Sequence, residues 1–145
     1  MKKLKLDTKR RDYFSPYSRS NIPIELVDGS YDSGRVVVSN GRTFVITNAR
    51  QGQLVQVPLT RSMDLLPGDT ISLMLKSTNG KSQYWGIVLN GTVIRVMGDK
   101  PQNNVWYSYP IQNRSSLSAI YVHGAEYNWS ITTDVSFRLN DETIF

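Results

Sequence analysis

Residues 70–97 read TISLMLKSTNGKSQYWGIVLNGTVIRVM, a stretch in which apolar and polar residues alternate around two Asn-Gly pairs. The pairs are Asn79-Gly80 and Asn90-Gly91. An Asn-Gly pair between alternating apolar runs is a strong signal for a β-hairpin with a two-residue turn. Two such turns in succession predict an antiparallel three-stranded meander over residues 70–97.

Two-residue turns also fix the register of this meander. The predicted cross-strand pairs are Leu89 with Thr92, Ile87 with Ile94 and Trp85 with Val96 at the second turn, and Leu75 with Tyr84 and Ile71 with Val88 at the first. Both faces of the meander are then largely apolar, whereas an antiparallel sheet with one solvated face is polar on that face. We therefore expect the second face to be covered by a partner sheet, by the N-terminal segment or by another subunit.

The rest of the chain from residue 22 onward shows the same β pattern. The pair Asn40-Gly41 separates residues 36–38 from residues 44–46 and predicts another two-residue hairpin with two apolar faces. Further strands are predicted near residues 22–28, 53–59, 104–111, 117–122 and 126–139. No segment of helical length has a 3.6-residue apolar period. Short strands at this spacing predict an all-β fold, an antiparallel β-sandwich or jelly-roll-like domain over residues 22–145.

Residues 1–21 differ from this body in charge and pattern, and we interpret them as an extended basic N-terminal arm. Residues 1–19 hold seven basic and two acidic side chains, a net charge of +5, whereas the remaining 126 residues hold ten of each sign. The aromatic residues Tyr13, Phe14 and Tyr17 are unusual for a disordered tail and are interpreted as anchors. The candidate partner-binding residues of the arm are Lys2, Lys3, Lys5, Lys9, Arg10, Arg11, Tyr13, Phe14, Tyr17 and Arg19.

Two kinds of partner fit a basic arm with aromatic anchors. Lys and Arg at this density attract phosphates, and the three aromatic rings could stack on bases. Arms of this kind also lie along acidic surfaces of neighbouring protein subunits. Because the body carries no net charge, we favour protein subunits and keep nucleic acid as an alternative. A membrane partner is not predicted, since Leu4 and Leu6 alone supply little apolar area.

The sequence offers little for catalysis or metal binding. The chain has no Cys and one His, His123, which is predicted to lie at the end of a strand. The candidate carboxylates for glycoside hydrolysis are all predicted to lie at turns or strand edges, and they are Asp64, Asp69, Asp99, Glu126 and Asp134. Asp69 is expected to support a turn at the start of a strand. We predict no enzyme activity, no catalytic residues, no metal and no cofactor.

Carbohydrate binding is the functional alternative with support in the body of the chain. Residues 102–110 read QNNVWYSYP, which places aromatic rings beside amide side chains. Sugars bind to aromatic platforms that are surrounded by hydrogen-bonding amides, so Trp106, Tyr107 and Tyr109 are candidate glycan contacts. The opposing interpretation is that alternate aromatic residues of a strand fill the core.

The chain resembles accessory structural proteins of bacteriophage virions, of the capsid-decoration or head- and tail-fibre base type, in its Cys-free all-β body and basic arm. Residues 66–73, LPGDTISL, are similar to the Gly-Asp strand entry of trimeric jelly rolls of the tumour-necrosis-factor type. The resemblance implies a non-enzymatic virion protein that docks on other virion subunits through its arm and apolar strand faces, as a homo-oligomer or within a larger assembly. The alternatives are a lectin-like receptor-binding module and a nucleic-acid-binding protein.

Overall fold

The computed structural model describes residues 24–31, 34–78, 83–97, 103–124 and 129–145. Within these ranges the chain forms eleven β-strands. They are β1 (Gly29–Tyr31), β2 (Gly34–Ser39), β3 (Thr43–Ala49), β4 (Leu54–Leu65), β5 (Thr70–Thr78), β6 (Gln83–Leu89), β7 (Thr92–Met97), β8 (Trp106–Pro110), β9 (Ser115–Gly124), β10 (Trp129–Leu139) and β11 (Glu142–Thr143).

The described strands form two antiparallel sheets. The large sheet has seven strands in the order β1-β2-β3-β10-β5-β8, with β11 paired to β10. The small sheet has four strands in the order β4-β9-β6-β7. The prediction of an all-β antiparallel sandwich is therefore confirmed.

The core lies between the two sheets and is apolar on both sides. Phe44 of the large sheet meets Trp85 of the small sheet, with their ring centroids 5.9 Å apart. The other buried side chains of this core include Val36, Ile46, Ile71, Leu73, Leu75, Ile131, Val135, Phe137 and Leu139 from the large sheet, and Val55, Val57, Leu59, Met63, Leu65, Ile87, Leu89, Leu117, Ile120 and Val122 from the small sheet. Burial of alternate residues on facing strands is the arrangement that holds a sandwich together.

The predicted three-stranded meander over residues 70–97 is only half correct. The turn at Asn90-Gly91 has two residues, and Leu89 pairs with Thr92 as predicted. However, β5 and β6 belong to different sheets, so the predicted pairs of Leu75 with Tyr84 and of Ile71 with Val88 are wrong. The apolar positions of β5 and β6 face each other across the core, which explains why the stretch has two apolar faces. The partner sheet covers the core-facing positions, whereas Val88 is buried on the outer face of the small sheet with Ala119 and Tyr121.

A β-bulge changes the register at the far end of the β6–β7 hairpin. Gly86 pairs with Arg95, but Trp85 pairs with Met97, so the predicted pair of Trp85 with Val96 is wrong. Val96 is the extra residue on β7, and such a residue bends the strand that carries it. Its side chain nevertheless packs against the core beside Ile94.

The first hairpin differs from its prediction by one residue. Asn40 and Gly41 have φ angles of 55° and 69°, as a type I′ turn requires, but Ser39 pairs with Thr43 because Arg42 is an additional turn residue. The shift places Val36 and Val38 opposite Ile46 and Phe44 on one inward face, which is the core side of β2 and β3. The outward face carries the paired residues Val37 and Val45, so apolar residues lie on both faces of this hairpin, and Val37 is 47% exposed.

Asp69 holds the turn between β4 and β5, as the sequence predicts. Its carboxylate is fully buried and accepts hydrogen bonds from the Leu66 amide at 2.8 Å and from the Asn140 side-chain amide at 3.1 Å. The Ile111 amide donates to the Asp69 carbonyl at 2.8 Å. Asp69 thus joins the β4–β5 turn to the turn after β10 through its carboxylate, and to the segment after β8 through its backbone carbonyl.

Some of the predicted features lie outside the described residues. This applies to the arm of residues 1–21, to all of its candidate partner-binding residues and to the turn at Asn79-Gly80. Of the predicted strand near residues 22–28, the described part is an extended segment with a single bridge between Leu26 and Leu59. No helix in the described ranges is long and apolar enough to cross a membrane.

Candidate functional site

Strand β8 separates the three aromatic residues that were predicted to form one glycan platform. Side chains alternate between the two faces of a strand, so Trp106 points to one side and Tyr107 and Tyr109 to the other. Tyr107 pairs with Leu73 and Tyr109 with Ile71, and both tyrosines pack against the core. Trp106 alone lies on the outer face of the large sheet.

Trp106 is held in place by a cation on the same face. The Arg138 guanidinium carbon lies 4.0 Å from the centre of the Trp106 ring. Arg138 reaches the ring from β10 across β5, because Trp106 pairs with Met74 and Met74 pairs with Ser136, two residues before Arg138. A guanidinium stacked on an indole is attractive, and it fixes the ring beside the sheet surface.

A groove of about 290 Å³ adjoins this aromatic site on the outer face of the large sheet. Met74 forms its wall nearest to Trp106, since these two residues are cross-strand neighbours. The remaining lining residues are Asn40, Arg42, Thr43, Leu75, Lys76, Asn104, Asp134, Val135 and Ser136. This volume is close to the lower limit of about 300 Å³ for small-molecule sites.

The polar groups of the groove are positioned by strand pairing and local hydrogen bonds. Thr43, Asp134 and Lys76 lie side by side on β3, β10 and β5, and the Thr43 hydroxyl donates to the Asp134 carboxylate at 2.8 Å. The segment before β8 is fixed to β5, where the Ser77 amide donates to the Asn103 side-chain oxygen at 2.9 Å. The Asn104 amide donates to the Leu75 carbonyl at 2.9 Å. The groove is therefore built on rigid elements at both ends.

Asp134 was predicted to lie at a turn or strand edge, and this prediction is wrong. It lies in the middle of β10, the strand at the centre of the large sheet. Neither Asp99 nor Glu126 is among the described residues. Asp64 lies near the end of β4 and forms an exposed ion pair with Arg114 at 2.8 Å.

A second aromatic cluster lies on the outer face of the small sheet. The Arg95 guanidinium carbon is 3.8 Å from the centre of the Tyr84 ring, and the ring centres of Tyr84 and His123 are 5.4 Å apart. Beside them the Tyr121 ring fills the space that a side chain at Gly86 would occupy. The side chains of this cluster pack against one another, and none of them lines the 290 Å³ groove of the large sheet.

His123 lies at the end of β9, as predicted. Its Nε2 atom is 2.9 Å from the carbonyl oxygen of Gly52. A carbonyl only accepts hydrogen bonds, so Nε2 carries the proton and the ring holds the loop before β4. Among the described residues no group of three or more His, Cys, Asp or Glu side chains could hold a metal ion.

Burial raises the pKa of the Tyr121 phenol, and the positive charge of Arg95 opposes this shift. Because its pKa is higher in the folded chain than in the unfolded chain, its contribution to stability is complete below about pH 10 and is lost as the pH rises through the folded value. We expect Tyr121→Phe to reduce the loss of stability between pH 9 and pH 11, measured by urea denaturation. An unchanged pH dependence would contradict this assignment.

A smaller cleft of about 240 Å³ opens between β7 and β8 at the edge of the sandwich. Tyr109 lines it together with Asn90, Gln112 and Asn113. The Asn90 side-chain oxygen already accepts the Ser116 amide at 2.9 Å. Tyr109 is thus beside amide groups, but these are not the amides of residues 102–104 that the sequence predicted, and Tyr109 lies on the opposite side of β8 from Trp106.

Sequence reasoning found Trp106 and missed the residues around it. Arg138, Asp134 and Ser136 alternate along β10, and this spacing marks them as one outward face. The sequence does not show that this face adjoins Trp106, because the link runs through the pairing of β10 with β5 and of β5 with β8.

Comparison with known proteins identifies the architecture only. No protein-family model matches the chain, and no curated protein matches it. Among solved structures, the chain is similar to a low-affinity xylan-binding module, CBM86, from the xylanolytic gut symbiont Roseburia intestinalis. The likeness covers 80% of this chain and 89% of that one, with 14% sequence identity and a TM-score of 0.55. At this identity it shows a shared β-sandwich fold.

Proposed function

We propose that this protein is a non-catalytic carbohydrate-binding domain whose glycan site is the outer face of the large sheet. The observation that carries the proposal is the position of Trp106 beside the 290 Å³ groove. A sugar ring has an apolar face that stacks on an aromatic ring and hydroxyl groups that need hydrogen-bonding partners. The indole of Trp106 supplies the first, and the groove supplies the second.

The polar groups of the groove suit sugar hydroxyls in kind and in number. Asp134 and Ser136 can accept hydrogen bonds, and Asn104 can both donate and accept. These groups project from paired strands, so little conformational entropy is lost on binding. The similarity of fold to a xylan-binding module supports the same proposal.

The first test of this proposal is Trp106→Ala, measured by affinity electrophoresis against soluble plant polysaccharides. We expect the variant to lose about 2 kcal/mol of binding free energy, roughly thirtyfold in affinity, because a central aromatic anchor is removed. Its free energy of unfolding should change by less than about 1 kcal/mol, since the side chain lies on the outside of an edge strand.

Tyr84→Ala is the matched control for that experiment. Tyr84 also lies on the outer face of a sheet beneath an arginine, at 3.8 Å instead of 4.0 Å. We expect it to bind glycans as the wild type does. Loss of binding in Tyr84→Ala with retention in Trp106→Ala would move the site to the small sheet, and retention in both would overturn the proposed site.

The virion role remains a prediction that rests on the basic arm, which lies outside the described residues. The described part of the chain exposes few large apolar side chains through which strand faces could dock on other subunits. They are Val37 on β2, Leu54 on β4 and Val105 immediately before β8. Single exposed apolar side chains that are scattered in this way are normal on a protein surface.

A further inference from the structure

The groove beside Trp106 carries more positive than negative charge. Arg42 and Lys76 line it and Arg138 lies at its aromatic end, whereas Asp134 supplies its one carboxylate among the lining residues described. The lining residues give the groove a formal charge of +1, since Arg42 and Lys76 are positive and Asp134 is negative. This excess is local, because residues 20–145 hold ten basic and ten acidic side chains.

The two lining cations flank Asp134 on opposite sides. Arg42 immediately precedes β3, Lys76 is on β5, and β10 with Asp134 runs between these strands. At a strand spacing of about 4.8 Å, β3 and β5 are roughly 10 Å apart. Within the described residues, no ion pair or hydrogen bond engages the side chain of Arg42 or of Lys76. Both residues line the groove.

The aromatic end of the groove, at Trp106, and the charged residues around Asp134 lie at different positions along β10. The Cα atoms of Arg138 and Asp134 are about 13 Å apart, because four residues of β-strand separate them at about 3.3 Å per residue. Trp106 lies two strands away from β10, in register with Ser136. A ligand that spans both ends would stack a ring on Trp106 and place a different unit between Lys76 and Arg42. A flexible polymer with uncharged rings and occasional anionic groups has this character.

We propose that the ligand of this groove is an acidic polysaccharide, in which a sugar carboxylate pairs with Lys76 or with Arg42, a sugar hydroxyl donates to Asp134 between them, and a neutral sugar ring stacks on Trp106. This inference rests on the proposed carbohydrate-binding function and names its substrate class. A polyphosphate such as nucleic acid fits less well, because Asp134 lies between the two cations and would repel a continuous row of phosphates. A sugar polymer that presents a neutral hydroxyl to Asp134 and a single carboxylate to a neighbouring cation matches this pattern of charges.

The inference is tested with glucuronoxylan and with the same polymer after reduction of its carboxyl groups. The variants are Lys76→Met and Arg42→Met, which keep an apolar stem and remove the charge. Each should weaken binding of glucuronoxylan by about two- to fivefold, as exposed ion pairs do, and the double variant by about tenfold. Binding of the reduced polymer should not change.

Arg35→Met is the matched control. Arg35 is exposed on β2, three strands away from β5, and does not line the groove. All of these variants keep the basic N-terminal residues, so nonspecific attraction of the arm to an acidic polymer is the same in each. A difference between Lys76→Met and Arg35→Met therefore reports on the groove.

The possible outcomes separate this inference from the proposed function. If the wild type binds neither polymer, the carbohydrate-binding proposal fails and this inference fails with it. If it binds both and the groove variants bind glucuronoxylan unchanged, the function stands and the acidic specificity is overturned. If a single-stranded oligonucleotide competes with glucuronoxylan and the groove variants weaken its binding equally, the groove is a general polyanion site and the inference is overturned.

Discussion

Gly86→Ala is expected to destabilise the protein by more than about 3 kcal/mol. The cause is a steric overlap, because a Cβ atom at this position would overlap the Ile94 carbonyl oxygen and the Tyr121 ring. The ring could rotate away, but the carbonyl belongs to the backbone of the paired strand β7 and is fixed beside the bulge. Overpacking that a core cannot relax costs about 1–3 kcal/mol, and overlap with backbone costs more.

The measurement is urea denaturation of Gly86→Ala beside Gly91→Ala. Gly91 has a φ angle of 77° and no heavy atom within 4 Å of the added Cβ, so its variant should lose only about 1 kcal/mol from backbone strain. If Gly86→Ala does not fold, its circular dichroism will lack the β signal that Gly91→Ala retains. Equal stability of the two variants would show that the packing of Tyr121 on Gly86 is not tight.

Asp69→Ala is expected to cost about 3 kcal/mol, a decrease in melting temperature on the order of 10 °C for a chain of this size. The variant leaves the Leu66 amide and the Asn140 side chain without the carboxylate that accepts their hydrogen bonds. Buried donors that lose an acceptor cost more than the bonds contribute, because water cannot replace it. The loss acts on two connections at once, the β4–β5 turn and the turn after β10, so we also expect a broader unfolding transition.

Asp64→Ala is the comparison for Asp69→Ala. Asp64 is paired to Arg114 at 2.8 Å, but the two side chains are 55% and 70% exposed. Exposed ion pairs contribute about 0–1 kcal/mol, so this variant should unfold nearly as the wild type does. A loss of stability in Asp64→Ala as large as that in Asp69→Ala would contradict the role assigned to burial.

Local signals in the sequence were sufficient where a structure depends on neighbouring residues. Asn90-Gly91 predicts its two-residue turn, and the segment before Thr70 predicts the Asp69 turn, because both use short-range backbone chemistry. The Asn40-Gly41 turn was placed correctly, but its register was not. One additional residue, Arg42, shifts the pairing by one position and changes which residues of β2 share a face with Phe44 and Ile46.

Connections between sheets could not be predicted from the same signals. The segments on either side of Asn79-Gly80 have the alternation of a hairpin, yet β5 makes eight pairs with β10 instead of pairing with β6. Nothing local distinguishes these two outcomes, since the competing partner lies more than fifty residues away. The candidate site has the same dependence, because Arg138 reaches Trp106 only through the β10–β5–β8 order.

The position of β10 also has a consequence for how the chain is made. This strand lies between β3 and β5, so Thr43 is bonded to Asp134, 91 residues later. During synthesis the large sheet cannot be completed until β10 has left the ribosome. Until then the edges of β3 and β5 that pair with β10 stay unpaired. Chains with such distant contacts fold slowly, and their unpaired strands are exposed to aggregation. We therefore expect the yield of folded protein to depend on chaperones and on growth temperature more than its final stability would suggest.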